Sequence, residues 1–211
     1  MGKTSFTVIR HGETDWNVSR QLQGWKNSNL TENGIKQAEL TAEALKHKNF
    51  DFLYTSSLRR ALETTEIINK YHQLKIHIDN SLKERNFGVM EGLKQDEMLE
   101  KYPEVLTRYM QREEKYQIPE GESLVSFYNR VIDGVNAIAQ SHSGKRILIV
   151  THGGVLDCMM RRVFNYPLSA PRSFSIYNAS VNRFSVTNGV WFLEEWGDIS
   201  HQESMALSLD I

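Results

Sequence analysis

Two short apolar runs in this chain each stop at a histidine followed by glycine, and this repetition narrows the folds open to it. Phe6-Thr7-Val8-Ile9 runs into Arg10-His11-Gly12, and Arg146-Ile147-Leu148-Ile149-Val150 runs into Thr151-His152-Gly153-Gly154. Runs this short and this rich in β-branched and aromatic residues read as buried strands ended by a glycine turn. Between them, Thr31 is placed to cap a helix whose apolar residues Ile35, Ala38, Ala42 and Leu45 recur at helical spacing. Asp51–Tyr54 reads as a second strand, Leu58–Tyr71 as a second helix and Ile76–Ile78 as a third strand. The order β, α, β, α, β calls for parallel strands with helices packed on them.

The middle of the chain changes character. Residues 91–121 are charged and amphipathic, with Met98, Leu99, Tyr102, Val105, Leu106, Tyr109 and Met110, and with Pro103 at a helix boundary. The pattern predicts two short helices forming a cap. Ser123 then caps a long helix to Gln140, and another helix follows His152 through Val163. The tail, Phe174 to Trp196, alternates around Thr187-Asn188-Gly189 and predicts antiparallel strands. The last ten residues are expected to fray. The expected fold class is α/β: a three-layer α/β/α sandwich around a mixed, mostly parallel sheet, with a small helical cap.

In open α/β sheets, ligands bind in the crevice at the carboxyl ends of the strands. Glycine after each histidine lets backbone N–H groups approach a ligand, and a helix starting near Gly154 points its positive end there. A lone strand-end histidine is ordinarily a satisfied structural residue. The repeated arrangement, with Arg10 beside it, brings an anion site into contention. The formal net charge of −1 points to neither a polyanion nor an anionic membrane as partner. The single cysteine, Cys158, reads as a small core residue. No H-x-H, H-E-x-x-H or C-x-x-C spacing and no Gly-rich nucleotide loop occurs, so neither a metal nor a cofactor is expected. With no charged-then-apolar start and no long apolar run, the expectation is a cytoplasmic protein.

A longer set of motifs carries a family resemblance. Arg10-His11-Gly12-Glu13-Thr14-Asp15-Trp16-Asn17 matches the R-H-G-E-[ST]-x-x-N signature of the histidine phosphatase superfamily, also called phosphoglycerate mutase-like. The resemblance continues through Leu22–Trp25, Leu30–Gly34, Ser56–Ala61, Glu84–Gly88, Glu91-Gly92, Pro119–Ser123 and Thr151–Gly153, in the family's order. It implies one domain over 1–211, with the cap at 91–121. It also implies roles. His11 is the nucleophile, forming a phosphohistidine. Arg10, Arg60 and His152 surround the phosphoryl oxygens. Asn17, Gln23, Gly24 and Gly153 add neutral donors. Glu84 gives a proton to the leaving oxygen, then takes one from water, and for the first step needs a raised pKa from an apolar or enclosed site. Arg59 is expected in solvent. Without the resemblance, Glu84 and Arg85 would read as a surface ion pair; Gly154 is compatible with a helix start and carries no further information. Trp25, Phe87 and Met90 fit a pocket wall or a core equally.

The superfamily holds both phosphatases and mutases. Phe87 stands where the mutases place a tyrosine, Gln95 where they place a lysine and Gly153 where they place an asparagine. The longer insertion with a pair of arginines is missing. These departures point to a metal-independent phosphomonoesterase of the phosphatase branch. A cofactor-dependent phosphoglycerate mutase and a non-catalytic phosphoester-binding protein are the alternatives. The substrate and the oligomeric state, a homodimer among the options, are not specified at this level.

Overall fold

A computed structural model describes residues 2–203 of the chain. All but two of the ten residues expected to fray lie outside them. The strands are β1 (Thr4–Arg10), β2 (Phe52–Thr55), β3 (Ile76–Ile78), β4 (Arg146–Thr151), β5 (Val181–Thr187) and β6 (Val190–Asp198). The helices are α1 (Asp15–Val18), α2 (Glu32–Leu45), α3 (Arg59–Asn69), α4 (Gln95–Lys101), α5 (Pro103–Met110), α6 (Leu124–Ser141) and α7 (Gly153–Phe164). The strands form one six-stranded sheet in the order β3-β2-β4-β1-β5-β6. β3, β2, β4 and β1 are parallel, and β5 and β6 are added antiparallel.

The central strands are apolar on both faces because both faces are covered. From β4, Ile147 and Ile149 pack with Val131, Val135, Val155 and Met159 of α6 and α7. Leu148 and Val150 turn the other way, toward Ala42, Leu45, Ala61 and Ile68 of α2 and α3. Cys158 is buried in the first of these layers. This is the expected three-layer sandwich. The cap helices enclose their own cluster of Met90, Met98, Leu106 and Ile118. Pro103 opens α5, where its missing N–H costs no hydrogen bond.

Register sets the site. Arg10 of β1 pairs with Thr151 of β4, the last residue of each strand. His11 and His152 therefore leave the sheet side by side. The tail departs from the sequence reading in one respect. Strand structure begins at Val181, and residues 174–180 form a loop that folds back onto the end of β1. Asn188 and Gly189, both with positive φ, make the β5–β6 turn. Among the described residues, no helix is long and apolar enough to cross a membrane.

Candidate active site

The two histidine rings stand 5.2 Å apart between centroids. His11 Nδ1 lies 2.7 Å from the Gly12 carbonyl. A carbonyl only accepts, so Nδ1 carries the proton and Nε2 keeps its lone pair. Arg60 Nε donates to that Nε2 at 3.2 Å. Burial, then the charges of Arg60 and Arg10, hold the His11 pKa well below the ordinary imidazole value. The ring is thus neutral, with its free nitrogen beside a guanidinium. His152 is fixed differently. Its Nε2 lies 2.7 Å from Ser56 Oγ, which accepts the Leu58 N–H at 3.2 Å. With no other acceptor in range, the serine hydroxyl donates to Nε2, and the ring proton sits on Nδ1. That Nδ1 is buried and has no partner. Burial, then Arg60, also pushes the His152 pKa well below the usual range.

Arg60 enters from the first turn of α3 and is 1% exposed. Its Nη2 donates to the Gly24 carbonyl at 2.8 Å and its Nη1 to the Lys26 carbonyl at 3.1 Å. Buried Glu91 holds that loop: its carboxylate accepts the N–H groups of Trp25, Lys26 and Phe87 at 2.8, 3.1 and 2.9 Å. Gly24 has φ +56°, and a Cβ there would sit 1.9 Å from Glu91 Oε1, so glycine is required twice over. Arg10 Nη1 donates to the Ile176 carbonyl at 2.5 Å, while its Nε is buried without a partner. Burial holds the pKa of both Arg10 and Arg60 down to about 10, which still leaves them charged.

Glu84 reaches the same cleft from a loop after β3. Its Oε2 accepts the Gly154 N–H at 3.0 Å, in the first turn of α7, and its Oε1 accepts the Arg85 N–H at 2.8 Å. A Cβ on Gly154 would meet Glu84 Oε1 at 2.0 Å. The second glycine after His152 therefore makes room for the carboxylate, a role its sequence context did not reveal. Arg85 does not pair with that carboxylate: its guanidinium donates to the Glu122 carbonyl at 3.0 and 3.2 Å.

A neutral imidazole with an unprotonated nitrogen, two buried guanidinium groups and a carboxylate thus converge on one cleft, with the His152 ring behind them. The cleft holds about 290 Å³ and is lined by Arg10, His11, Asn17, Gly24, Arg60 and Glu84 among others. Residues 6–199 match the histidine phosphatase superfamily (branch 1). The chain belongs to the histidine phosphatase superfamily. A phosphoglycerate mutase-like protein 4 of Arabidopsis thaliana is 38% identical over 93% of this chain and 86% of its own length. A metal-independent phosphoserine phosphatase of the same plant is 36% identical over 96% and 84%. The solved structure of YhfR from Bacillus stearothermophilus superposes with a TM-score of 0.87 at 35% identity, covering 94% of this chain and 98% of that one.

The histidine phosphatase motifs account for only part of the cleft. Asn17 Oδ1 is consumed by the N–H and hydroxyl of Thr14 and by Asn178, which leaves Nδ2 for the cleft. Gln23, Gly24 and Gly153 also line it. Gly12 differs from expectation: its N–H donates to Thr64 Oγ1 at 3.1 Å, and a Cβ would sit 2.4 Å from the Gly34 carbonyl. Close packing on α2, not ligand approach, requires that glycine. Arg59 is exposed and paired with Glu63. Met90 is core, Phe87 lines the cleft, and Trp25 donates its indole N–H to the Glu84 carbonyl at 2.8 Å. Gln95 lies outside this cleft.

Sequence reasoning missed several residues. Asn178 Nδ2 donates to the His11 carbonyl at 3.0 Å, and the Ala179 N–H donates to the Arg10 carbonyl at 3.0 Å. Arg130 of α6 pairs with Glu122 and donates to the carbonyls of Asn80, Ser81, Lys83 and Glu84. Arg112 and Arg172 line the outer cleft together with Asp157, although the insertion that brings arginines to the mutases is missing. None of these sits in a short motif. Among the described residues, no group of three His, Cys, Asp or Glu side chains gathers in a way that could hold a metal.

Proposed function

We propose that this chain is a phosphatase that hydrolyses small phosphomonoesters through a phosphohistidine at His11, with all 211 residues serving one domain and 91–121 its cap. One observation carries the reading. His11 Nε2 is unprotonated, buried and 3.2 Å from the Arg60 guanidinium, while Nδ1 is tied to the Gly12 carbonyl. That is an activated nucleophile with its charge stabiliser already in place. The cleft volume, about 290 Å³, falls just short of the range of about 300–1,000 Å³ for drug-sized ligand sites and suits a small metabolite.

The reaction runs in two displacements. The phosphoryl group enters between Arg10, Arg60 and His152, whose Nδ1–H finds the partner it lacks. Arg60 Nε turns from His11 Nε2 to a phosphoryl oxygen. The freed lone pair attacks phosphorus, the P–O bond to the alcohol breaks, and protonated Glu84 gives its proton to the leaving oxygen. Water then attacks phosphorus. Glu84 takes the water's proton, the P–N bond breaks and its electron pair returns to Nε2. Asn17 Nδ2 and the Gln23, Gly24 and Gly153 backbone hold the equatorial oxygens. No step calls on a metal or cofactor.

A phosphoglycerate mutase is the second reading. It is favoured by the relative of that description and by the cationic side chains beyond the phosphoryl site. Purified protein separates the two. The phosphatase reading expects phosphate release from an aryl phosphate that survives exhaustive chelation. It also expects an acid-labile, base-stable phosphoprotein and little interconversion of 2- and 3-phosphoglycerate when primed with the bisphosphate. Efficient interconversion with little phosphate release selects the mutase. Loss of activity with chelator, rescued by added metal, rejects the mechanism.

A further inference from the structure

Three groups of the cleft are held by one loop. The Ile176 carbonyl accepts from Arg10 Nη1 at 2.5 Å. Asn178 Nδ2 donates to the His11 carbonyl at 3.0 Å and lies 3.3 Å from Asn17 Oδ1. The Ala179 N–H donates to the Arg10 carbonyl at 3.0 Å. The aim of Arg10, His11 and Asn17 therefore depends on where residues 175–179 sit. These residues belong to no strand or helix, so no ladder of their own fixes them.

The end of β6 and the turn after it, Ser200–Gln202, supply what is missing. Trp196 Nε1 donates to the Ser175 carbonyl at 3.1 Å, and Gln202 Nε2 donates to the Asn178 carbonyl at 3.0 Å. His201 Nε2 lies 3.1 Å from the Ala179 carbonyl. A carbonyl only accepts, so this nitrogen carries the imidazole proton. Trp196, His201 and Gln202 thus each give a side-chain N–H to a backbone carbonyl of the loop. The chain path serves this contact. Buried Asn182 accepts the Gly197 N–H at 2.8 Å and donates to the Val8 carbonyl of β1 at 3.2 Å, where Gly197, with φ +68°, bends the end of β6. Asp198 Oδ1 then accepts the Ser200 N–H at 2.9 Å and opens the turn. Trp196, His201 and Gln202 do not line the cleft. Water could satisfy the same loop carbonyls, but it would not fix their position.

We propose that Trp196–Gln202 is a positioning strap. It touches no reacting atom. By fixing residues 175–179 it aims the His11 nucleophile, together with the Arg10 guanidinium and the Asn17 amide beside it. The proposal rests on the phosphatase reading of His11 and adds His201 and Gln202 to it as positioning residues.

The test is the rate of phosphohistidine formation from an aryl phosphate, trapped by rapid quench in the full chain. Gln202→Glu keeps the side chain's size and loses its donor, whereas Gln202→Lys keeps a donor. His201→Leu and His201→Gln make the same comparison at the Ala179 carbonyl. Gln202→Glu and His201→Leu are each expected to slow phosphorylation about tenfold, within the roughly hundredfold that a 1 Å misplacement can cost. Gln202→Lys and His201→Gln are expected to recover most of that loss. Both positions are partly exposed, so urea midpoints should change little. Wild-type rates in the donor-less variants overturn the strap. An equal loss in the donor-keeping variants also overturns it, since the side chains would then act by packing alone. If the wild type itself forms no phosphohistidine, the catalytic reading fails and the strap has no nucleophile to aim.

Discussion

His11 and Glu84 are held by different parts of the backbone, and their replacements should fail differently. His11→Ala is expected to abolish both phosphoprotein and turnover. Glu84→Gln removes proton transfer, which typically contributes about 10²–10⁴-fold, so hydrolysis of alkyl phosphates should fall by that order. An aryl phosphate with an acidic phenol needs no proton on its leaving group. Its phosphorylation rate should fall less, and phosphohistidine should accumulate, as read by rapid-quench trapping. Full activity of Glu84→Gln on alkyl phosphates would remove Glu84 from the mechanism. Gly154→Ala gives a sharper test. Helix propensity favours Ala over Gly by about 1 kcal/mol, so the fold should hold. The new Cβ would stand 2.0 Å from Glu84 Oε1 and 3.1 Å from Phe127 Cζ. We expect a folded protein with its alkyl-phosphate kcat reduced toward that of Glu84→Gln. Unaltered turnover in Gly154→Ala would contradict the placement of the carboxylate.

Elements as well as residues aim Glu84. Arg130 projects from α6 and draws together the carbonyls of Asn80, Ser81, Lys83 and Glu84, with Glu122 completing the pair at 2.8 Å. The Glu122 carboxylate also accepts the Asn86 N–H at 2.9 Å. The segment carrying Glu84 is therefore held from the long helix behind it, and Arg130 acts as a positioning residue. Arg130→Gln should lower kcat more for alkyl than for aryl phosphates, with KM changed far less and Arg130→Lys recovering part of the loss. Equal losses across leaving groups would mean general disorder instead. Element types were legible because periodicity and burial agree: α2, α3, α6 and α7 each bury one stripe, and β1 and β4 bury both faces. The loop at 174–180 was not. Its alternation resembles a strand, but Ile176, Asn178 and Ala179 instead spend their backbone and side-chain groups on Arg10 and His11.

At the scale of the whole molecule, burying two neutral imidazoles beside arginines makes stability depend on pH. Folded His11 and His152 have pKa values well below the unfolded value, so below about pH 6.5 the unfolded chain binds protons that the folded chain refuses. The stabilisation is full above that pH and is lost as pH falls, by up to about 1.4 kcal/mol per pH unit for each histidine. Urea midpoints taken from pH 7.5 to 5 should fall, and a His11→Gln, His152→Gln double variant should make the fall shallower, the rest coming from His72, His142 and His201, whose pKa values burial also lowers. A wild-type curve that is already flat would contradict the buried neutral pair. The order of elements, the strand-end histidines and the motif residues Arg10, His11, Arg60, Glu84 and His152 were all readable along the chain, because apolar periodicity and short motifs are local. Tertiary structure alone decided that Gly154 holds the carboxylate, that Ser56 sets the tautomer of His152, that Arg130 braces Glu84, and that Arg112 comes up to Asp157. Each of these joins residues far apart in sequence through hydrogen bonds or charge, and such contacts depend on how helices and loops pack, which no local pattern encodes.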